Sequence, residues 1–177
     1  PIASPKQLNY RNRIQIHIQG NNFGFNKRNS NTIIPIENCL IAEPMLNDEL
    51  KSLRNSSDVP KVEKIELLID KNLSVHRRDL NTQGQPVLFS QINRFANTLL
   101  VDLVVNKILT HPPKGKVYDF YSGDGNFLLA VAKKLKNHTC IGIELNPGLV
   151  ALGRTEIQTT NPPINAKFIL SNVEKYV

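Results

Sequence analysis

The residues best suited to chemistry cluster in the second half of this 177-residue chain, around Asp119, Gly123, Gly125 and Glu144. Val117-Tyr-Asp-Phe-Tyr-Ser-Gly-Asp-Gly-Asn-Phe127 reads as a short strand entering Gly123-Asp124-Gly125, with a helix starting directly afterward. Glycines there tolerate positive φ and let a ligand approach the backbone closely. The first amides of the helix supply free donors. A dinucleotide fingerprint would put a third small residue three places after the second glycine, where Leu128 stands instead. Asp119 ends the strand four residues before Gly123, and its carboxylate suits a cationic ligand and would repel a pyrophosphate. A second acid, Glu144, closes Cys140-Ile-Gly-Ile-Glu144, about 20 residues past the glycines, where a carboxylate can clasp the two hydroxyls of a ribose. A cationic group joined to an adenosine satisfies both acids.

That combination points to S-adenosylmethionine rather than a nicotinamide dinucleotide. The elements that must hold it follow from the pattern of apolar residues. Gln91 to Leu109 reads as a helix in which Phe95, Leu99, Leu100, Leu103, Val104 and Ile108 recur at three- and four-residue spacing. His111-Pro112-Pro113 stops it. Strands are expected at Val117–Tyr121, Thr139–Glu144 and Ala166–Leu170, with helices at Asn126–Leu135 and Pro147–Thr155 between them. Alternation of this kind builds a parallel sheet with right-handed crossovers.

The first half reads differently. Arg13 to Ile18 alternates as Arg-Ile-Gln-Ile-His-Ile, the period of a strand with one apolar face. Gly20-Asn21-Asn22 can turn the chain into Phe23–Asn26. Further strands are expected at Thr32–Ile36, Val62–Ile69 and Leu73–Arg77. One helix, Leu46–Arg54, has Asn47 or Asp48 near its cap and the polar Asn55-Ser56-Ser57-Asp58 stretch at its end. The expected fold class is therefore mixed: a small antiparallel α+β domain over residues 1–85, then the first three strands of a Rossmann-like α/β sheet over 86–177.

Charge adds a partner. The chain carries 22 Lys and Arg against 15 Asp and Glu, a net charge of +7, with 40% hydrophobic residues. From Pro1 to Ile36 there are Lys6, Arg11, Arg13, Lys27 and Arg28 but no acid, and Tyr10, His17, Phe23 and Phe25 are interleaved with asparagines. Cations among aromatic rings suit nucleic acid, and they equally suit a solvated sheet face above a core. No apolar run reaches the ~20 residues of a membrane span. Two cysteines cannot form a disulfide framework, so a reducing, cytoplasmic setting is expected. The four histidines lack metal-ligand spacing and no metal is expected. The start on Pro1 reads as a trimmed or excised chain.

Three motifs together resemble one family. Asp119-Phe-Tyr-Ser-Gly-Asp-Gly-Asn-Phe127 is similar to the first motif of the class I methyltransferases that make 5-methyluridine in RNA. Phe89-Ser-Gln-Ile-Asn93 resembles their Phe-x-Gln-x-Asn motif. Tyr10-Arg-Asn-Arg13, Gly24-Phe25 and Ile36-Glu-Asn-Cys39 resemble the start of their central domain. The resemblance implies S-adenosylmethionine as cofactor and ribosomal or transfer RNA as substrate. It implies five cofactor contacts: Gln91 at the methionine end or the adenosine, Tyr121 and Asn126 beside the glycine loop, Glu144 at the ribose, and Asn172 at the adenine. Gln91, Asn126 and Asn172 could instead be helix caps, and Tyr121 core.

The family's chemistry also implies what this chain lacks. Carbon-5 of uracil is a poor nucleophile, and the family adds a cysteine thiolate to carbon-6 to make carbon-5 enolate-like; a base then removes the carbon-5 proton. The target base is flipped out of its stack. Both catalytic groups lie on later strands of the family fold, so the chain is expected to be truncated before them and to hold no catalytic residue. Cys140, inside a strand, reads as structural. Cys39 matches the last ligand of a four-cysteine iron–sulfur cluster found in some members, which a single cysteine cannot hold. Two alternatives remain at this point: a nucleic-acid methyltransferase acting at another atom, and a non-catalytic RNA-binding module with a vestigial cofactor fold. Oligomeric state is not legible.

Overall fold

Alternation along β1 (Arg13–Gln19) buries Ile14, Ile16 and Ile18 and turns Arg13, Gln15 and His17 to the opposite face. The computed structural model describes residues 3–57, 61–80 and 91–176. Its chain divides into two units, Pro1–Gln85 with Ser90–Ala96, and Pro86–Phe89 with Asn97–Val177. Of the described residues, 91–96 group with the first unit. Asp58, Phe89 and Ser90 of the stretches named above lie outside the described residues.

In the first unit, Gly20 turns the chain at φ +56° into β2 (Asn22–Asn26), which pairs antiparallel with β1 so that His17 faces Gly24. β3 (Ile33–Pro35), β4 (Lys64–Ile69) and β5 (Val75–Asp79) complete an antiparallel sheet of order β3-β2-β1-β4-β5. Gly24 is required by close approach: a Cβ there would lie 1.9 Å from the Ile34 carbonyl oxygen. Helix α1 (Pro44–Asn55) seals one face through Leu46, Leu50 and Leu53, packed with Phe23, Ile65 and Leu67.

The expected cap of α1 is corrected. Pro44, whose fixed φ suits a first helical turn, starts the helix after Glu43. Asn47 is spent elsewhere: its Oδ1 accepts from the Cys39 amide at 2.8 Å and its Nδ2 donates to the Cys39 carbonyl at 3.2 Å. Two buried carboxylates are ion-paired. Glu66 lies between Arg13 (3.7 Å) and Arg78 (3.3 Å), and Glu43 pairs with Arg94. Such pairs offset the cost of removing charge from water and fix geometry more than they add stability.

The second unit is a parallel sheet of order β6-β7-β8, with β6 (Val117–Phe120), β7 (Cys140–Glu144) and β8 (Ala166–Leu170). Helices α2 (Arg94–Thr110), α3 (Leu128–Lys134), α4 (Pro147–Thr159) and the short α5 (Val173–Tyr176) alternate with the strands. The core joins Leu128, Val131, Cys140, Val150 and Phe168. The buried stripe of α2 differs from the expected one. Val101, Val104, Val105 and Ile108 meet the core, whereas Leu99, Leu100 and Leu103 are exposed. Phe95 belongs to the first unit, with the Lys6 ammonium 4.0 Å from its ring centre. A run of apolar residues this dense offers two competing stripes at helical spacing, and only packing chooses between them. Among the described residues no helix is long and apolar enough to cross a membrane.

Candidate ligand site at the glycine loop

The carboxyl end of β6 opens into a loop whose shape is set by departures from ordinary backbone at three alternate residues. Tyr121 sits at φ +58°, Gly123 at +58° and Gly125 at +100°. A left-handed tyrosine is uncommon and costs free energy that the surroundings must hold in place. The residue is 71% exposed, so the strain presents the tyrosine to solvent and does not serve its burial. Gly125 is a packing necessity as well: a Cβ would lie 2.8 Å from Leu129 Cγ and from Phe168 Cζ.

Two acids hold this loop from beneath. Glu144, at the end of β7, accepts from the Gly123 amide at 3.0 Å through Oε2 and from the Asn146 amide at 2.8 Å through Oε1. A carboxylate has about four lone-pair directions, so each oxygen retains one. Asp119 accepts from the Leu128 amide at 3.0 Å, satisfying one of the free donors at the start of α3. Burial raises the Asp119 carboxyl above its ordinary value, and the Leu128 amide pulls the other way. The two acids end adjacent parallel strands at the edge where ligands of such sheets bind.

The remaining expected residues are placed as follows. Asn126 does not cap α3; its amide makes a reciprocal pair with Asn97, both bonds 2.9 Å. Asn172 follows β8, and its Oδ1 accepts from the Glu174 amide at 2.9 Å, so it caps α5. The same segment is tied to the Glu144 backbone by the Ser171 amide at 3.0 Å. Tyr121, Asn126, Glu144 and Asn172 therefore all lie in the second unit, around the carboxyl ends of three neighbouring strands. Gln91 lies in the first unit, exposed, just before α2; its carbonyl accepts from Asn12 Nδ2 at 3.1 Å.

One residue was not anticipated. Ser122 is 6% exposed, and its Oγ has no hydrogen-bond partner among the described residues. It fits because residue 142 is glycine: a Cβ there would lie 2.7 Å from that Oγ. The sequence signal was the glycine inside a strand, which marks close approach by a neighbour. Neither cysteine has the exposure of a nucleophile. Both are buried, and burial pushes the Cys140 thiol up. Among the described residues no group of three or more His, Cys, Asp or Glu is gathered to hold a metal.

No family model matches the sequence. An uncharacterised RNA methyltransferase of Bdellovibrio bacteriovorus is 35% identical over 177 residues, covering 98% of this chain and 44% of that protein. The 23S rRNA (uracil(1939)-C(5))-methyltransferase RlmD of Aliivibrio fischeri is 25% identical over 229 aligned positions, covering 97% of this chain and 51% of that protein. The chain thus spans about half the length of these relatives. By structure it is similar to the tRNA (uracil-54, C5)-methyltransferase of Pyrococcus abyssi, solved with S-adenosyl-L-homocysteine. That match has a TM-score of 0.73 at 17% identity and covers 96% of this chain and 57% of that one. Along nearly its whole length the chain is thus similar in sequence to RNA methyltransferases, and its fold is similar to that of a uracil-C5 methyltransferase.

Proposed function

We propose that the protein carrying this chain transfers a methyl group from S-adenosylmethionine to carbon-5 of a uridine in ribosomal or transfer RNA, in the cytoplasm. The observation that carries the reading is Glu144 closed onto the Gly123 amide at 3.0 Å with acceptor capacity to spare. That arrangement fixes the loop and still leaves oxygens for the hydroxyls of a ribose, as in the family these relatives define.

The residues fit the cofactor in kind. Glu144 takes the ribose, and the exposed ring of Tyr121 lies on the loop itself. Asp119, held beneath the loop, contributes a negative charge that favours a sulfonium. Asn126 and Asn172 border the loop from α3 and from the end of β8. Their amides are already engaged internally, which makes them positioning groups unless they rearrange. Gln91 enters this reading through its motif alone. Bound there, the cofactor supplies an electrophilic methyl group.

What this chain contributes is binding and orientation. Cys39 and Cys140 are buried, so the thiolate that activates carbon-6 and the base that takes the carbon-5 proton are not assigned to its residues. The test is transfer from methyl-labelled S-adenosylmethionine to unmodified ribosomal and transfer RNA by the full-length protein. Nucleoside digestion follows. Label in 5-methyluridine is expected, and label in another nucleoside would move the reaction to a different atom.

A further inference from the structure

The first unit contains a recess that the methyl-transfer reading leaves unused. It measures about 300 Å³ and lies at the start of β1 and the end of β2, lined by Arg11, Gln15, His17, Phe25, Asn26 and Ile92 with parts of Arg13 and Ile14. Among the described residues no carboxylate lines it. Three features describe the ligand it would take.

The first is a free cation on a fixed base. The Arg11 amide donates to the Ile41 carbonyl at 2.7 Å, and the Arg11 carbonyl accepts from the Glu43 amide at 2.9 Å. Its guanidinium has no ion-pair partner among the described residues, whereas neighbouring Arg13 is 3.7 Å from Glu66. An anchored, unpaired guanidinium suits a phosphate. The second feature is an orphan acceptor. Asn26 Oδ1 is buried without a hydrogen-bond partner. Such atoms are few in folded proteins and ask for an explanation. An anion cannot satisfy it; an N–H donor can. The third is an apolar border, Phe25 and Ile92, which suits a flat ring. Burial and the Lys64 ammonium hold the His17 imidazole below its usual range, so near pH 7 it adds a donor and an acceptor instead of a second charge.

A phosphate, an N–H donor and a flat ring coexist in a nucleotide. In a duplex both faces of the ring are stacked on neighbouring bases, so a ring that lies against the apolar border must be unpaired. We propose that this recess holds one unpaired nucleotide of the RNA, with its phosphate on Arg11 and a base N–H donated to Asn26. The inference rests on RNA being the substrate, but it concerns residues of the first unit alone, none of which belongs to the glycine loop.

The test uses the full-length protein and two single-stranded probes, oligouridylate and the same oligomer methylated at N3, which removes the base's N–H donor. Wild-type protein is expected to bind oligouridylate roughly tenfold more tightly than the methylated oligomer, and Asn26→Ala to abolish that preference. Arg11→Gln should weaken both probes alike. S-adenosylmethionine affinity should remain unchanged in both variants. Because the preference is read on wild-type protein, it survives any folding defect of a variant. Wild-type protein that methylates RNA yet binds the two oligomers equally overturns the recess alone. Wild-type protein that neither binds nor methylates RNA overturns this inference and the proposed function together.

Discussion

Replacing Glu144 with alanine removes two kinds of interaction at once, and their sizes separate them. The carboxylate accepts the Gly123 amide at 3.0 Å and the Asn146 amide at 2.8 Å, both main-chain groups of part-buried turns. A hydrogen bond to a charged group contributes about 1.5–3 kcal/mol when the partner left behind stays dry. Truncation to alanine opens space for water at these two amides, so the free protein should lose only about 1 kcal/mol. In a domain this small that is a fall of roughly 4–8 °C in melting temperature. The bound protein loses more, because the ribose hydroxyls also lose their acceptor and the loop is no longer held at its positive-φ conformation. A further 1.5–3 kcal/mol corresponds to S-adenosylmethionine binding about ten- to a hundredfold more weakly. Glutamine is the telling control: its amide nitrogen must face one of the two backbone donors, so it should fall between glutamate and alanine. Calorimetric titration gives the affinity, and a melt without ligand gives the stability. Affinity unchanged in Glu144→Ala, alongside the expected drop in melting temperature, would confine Glu144 to holding the loop and refute its place at the ribose.

Other perturbations reach the same architecture from different sides. A carboxyl whose folded-state pKa is raised contributes stability that is present below its unfolded value and lost as pH rises through the folded one. Burial raises Asp119 in this way, so Asp119→Asn should raise the melting temperature at pH 7, with the gain fading in acid, while cofactor binding weakens. Melts at both pH values and a titration at pH 7 check the two halves. Gly153→Ala would put a Cβ 2.4 Å from Phe168 Cζ. Overpacking of this kind costs about 1–3 kcal/mol, and denaturant unfolding should show it. A double-mutant cycle on Asn97 and Asn126 should return a coupling of about 0.5–1.5 kcal/mol for their paired amides; a coupling near zero would mean that the pair is a surface coincidence.

The strand alternation of Arg13–Ile18, the glycine loop and the acids at two strand ends were all legible in the sequence, because each depends on a short-range rule. Period-2 burial fixes Ile14, Ile16 and Ile18, and positive φ selects Gly123 and Gly125. What escaped depended on partners distant in sequence. Asn47 resembles a helix cap until Cys39 claims both ends of its amide. Asn126 resembles a cap of its own helix, yet its amide is paired with Asn97, 29 residues earlier. The choice of Val101 and Val105 over Leu99 and Leu103 for the buried side of α2 is a packing decision that hydrophobicity alone cannot make. Ser122 could have been found, since Gly142 in mid-strand announced that something approaches it.

The central claim is chemistry at carbon-5 of uracil, and the hydrogen at that carbon reports it directly. RNA transcribed with uridine tritiated at carbon-5 should release tritium to water when incubated with the full-length protein and S-adenosylmethionine. Release should match methyl transfer one for one, since substitution there must expel that hydrogen. Omitting S-adenosylmethionine should abolish net product, and Glu144→Ala should slow it at limiting cofactor. Methyl transfer to RNA with all tritium retained would contradict the account.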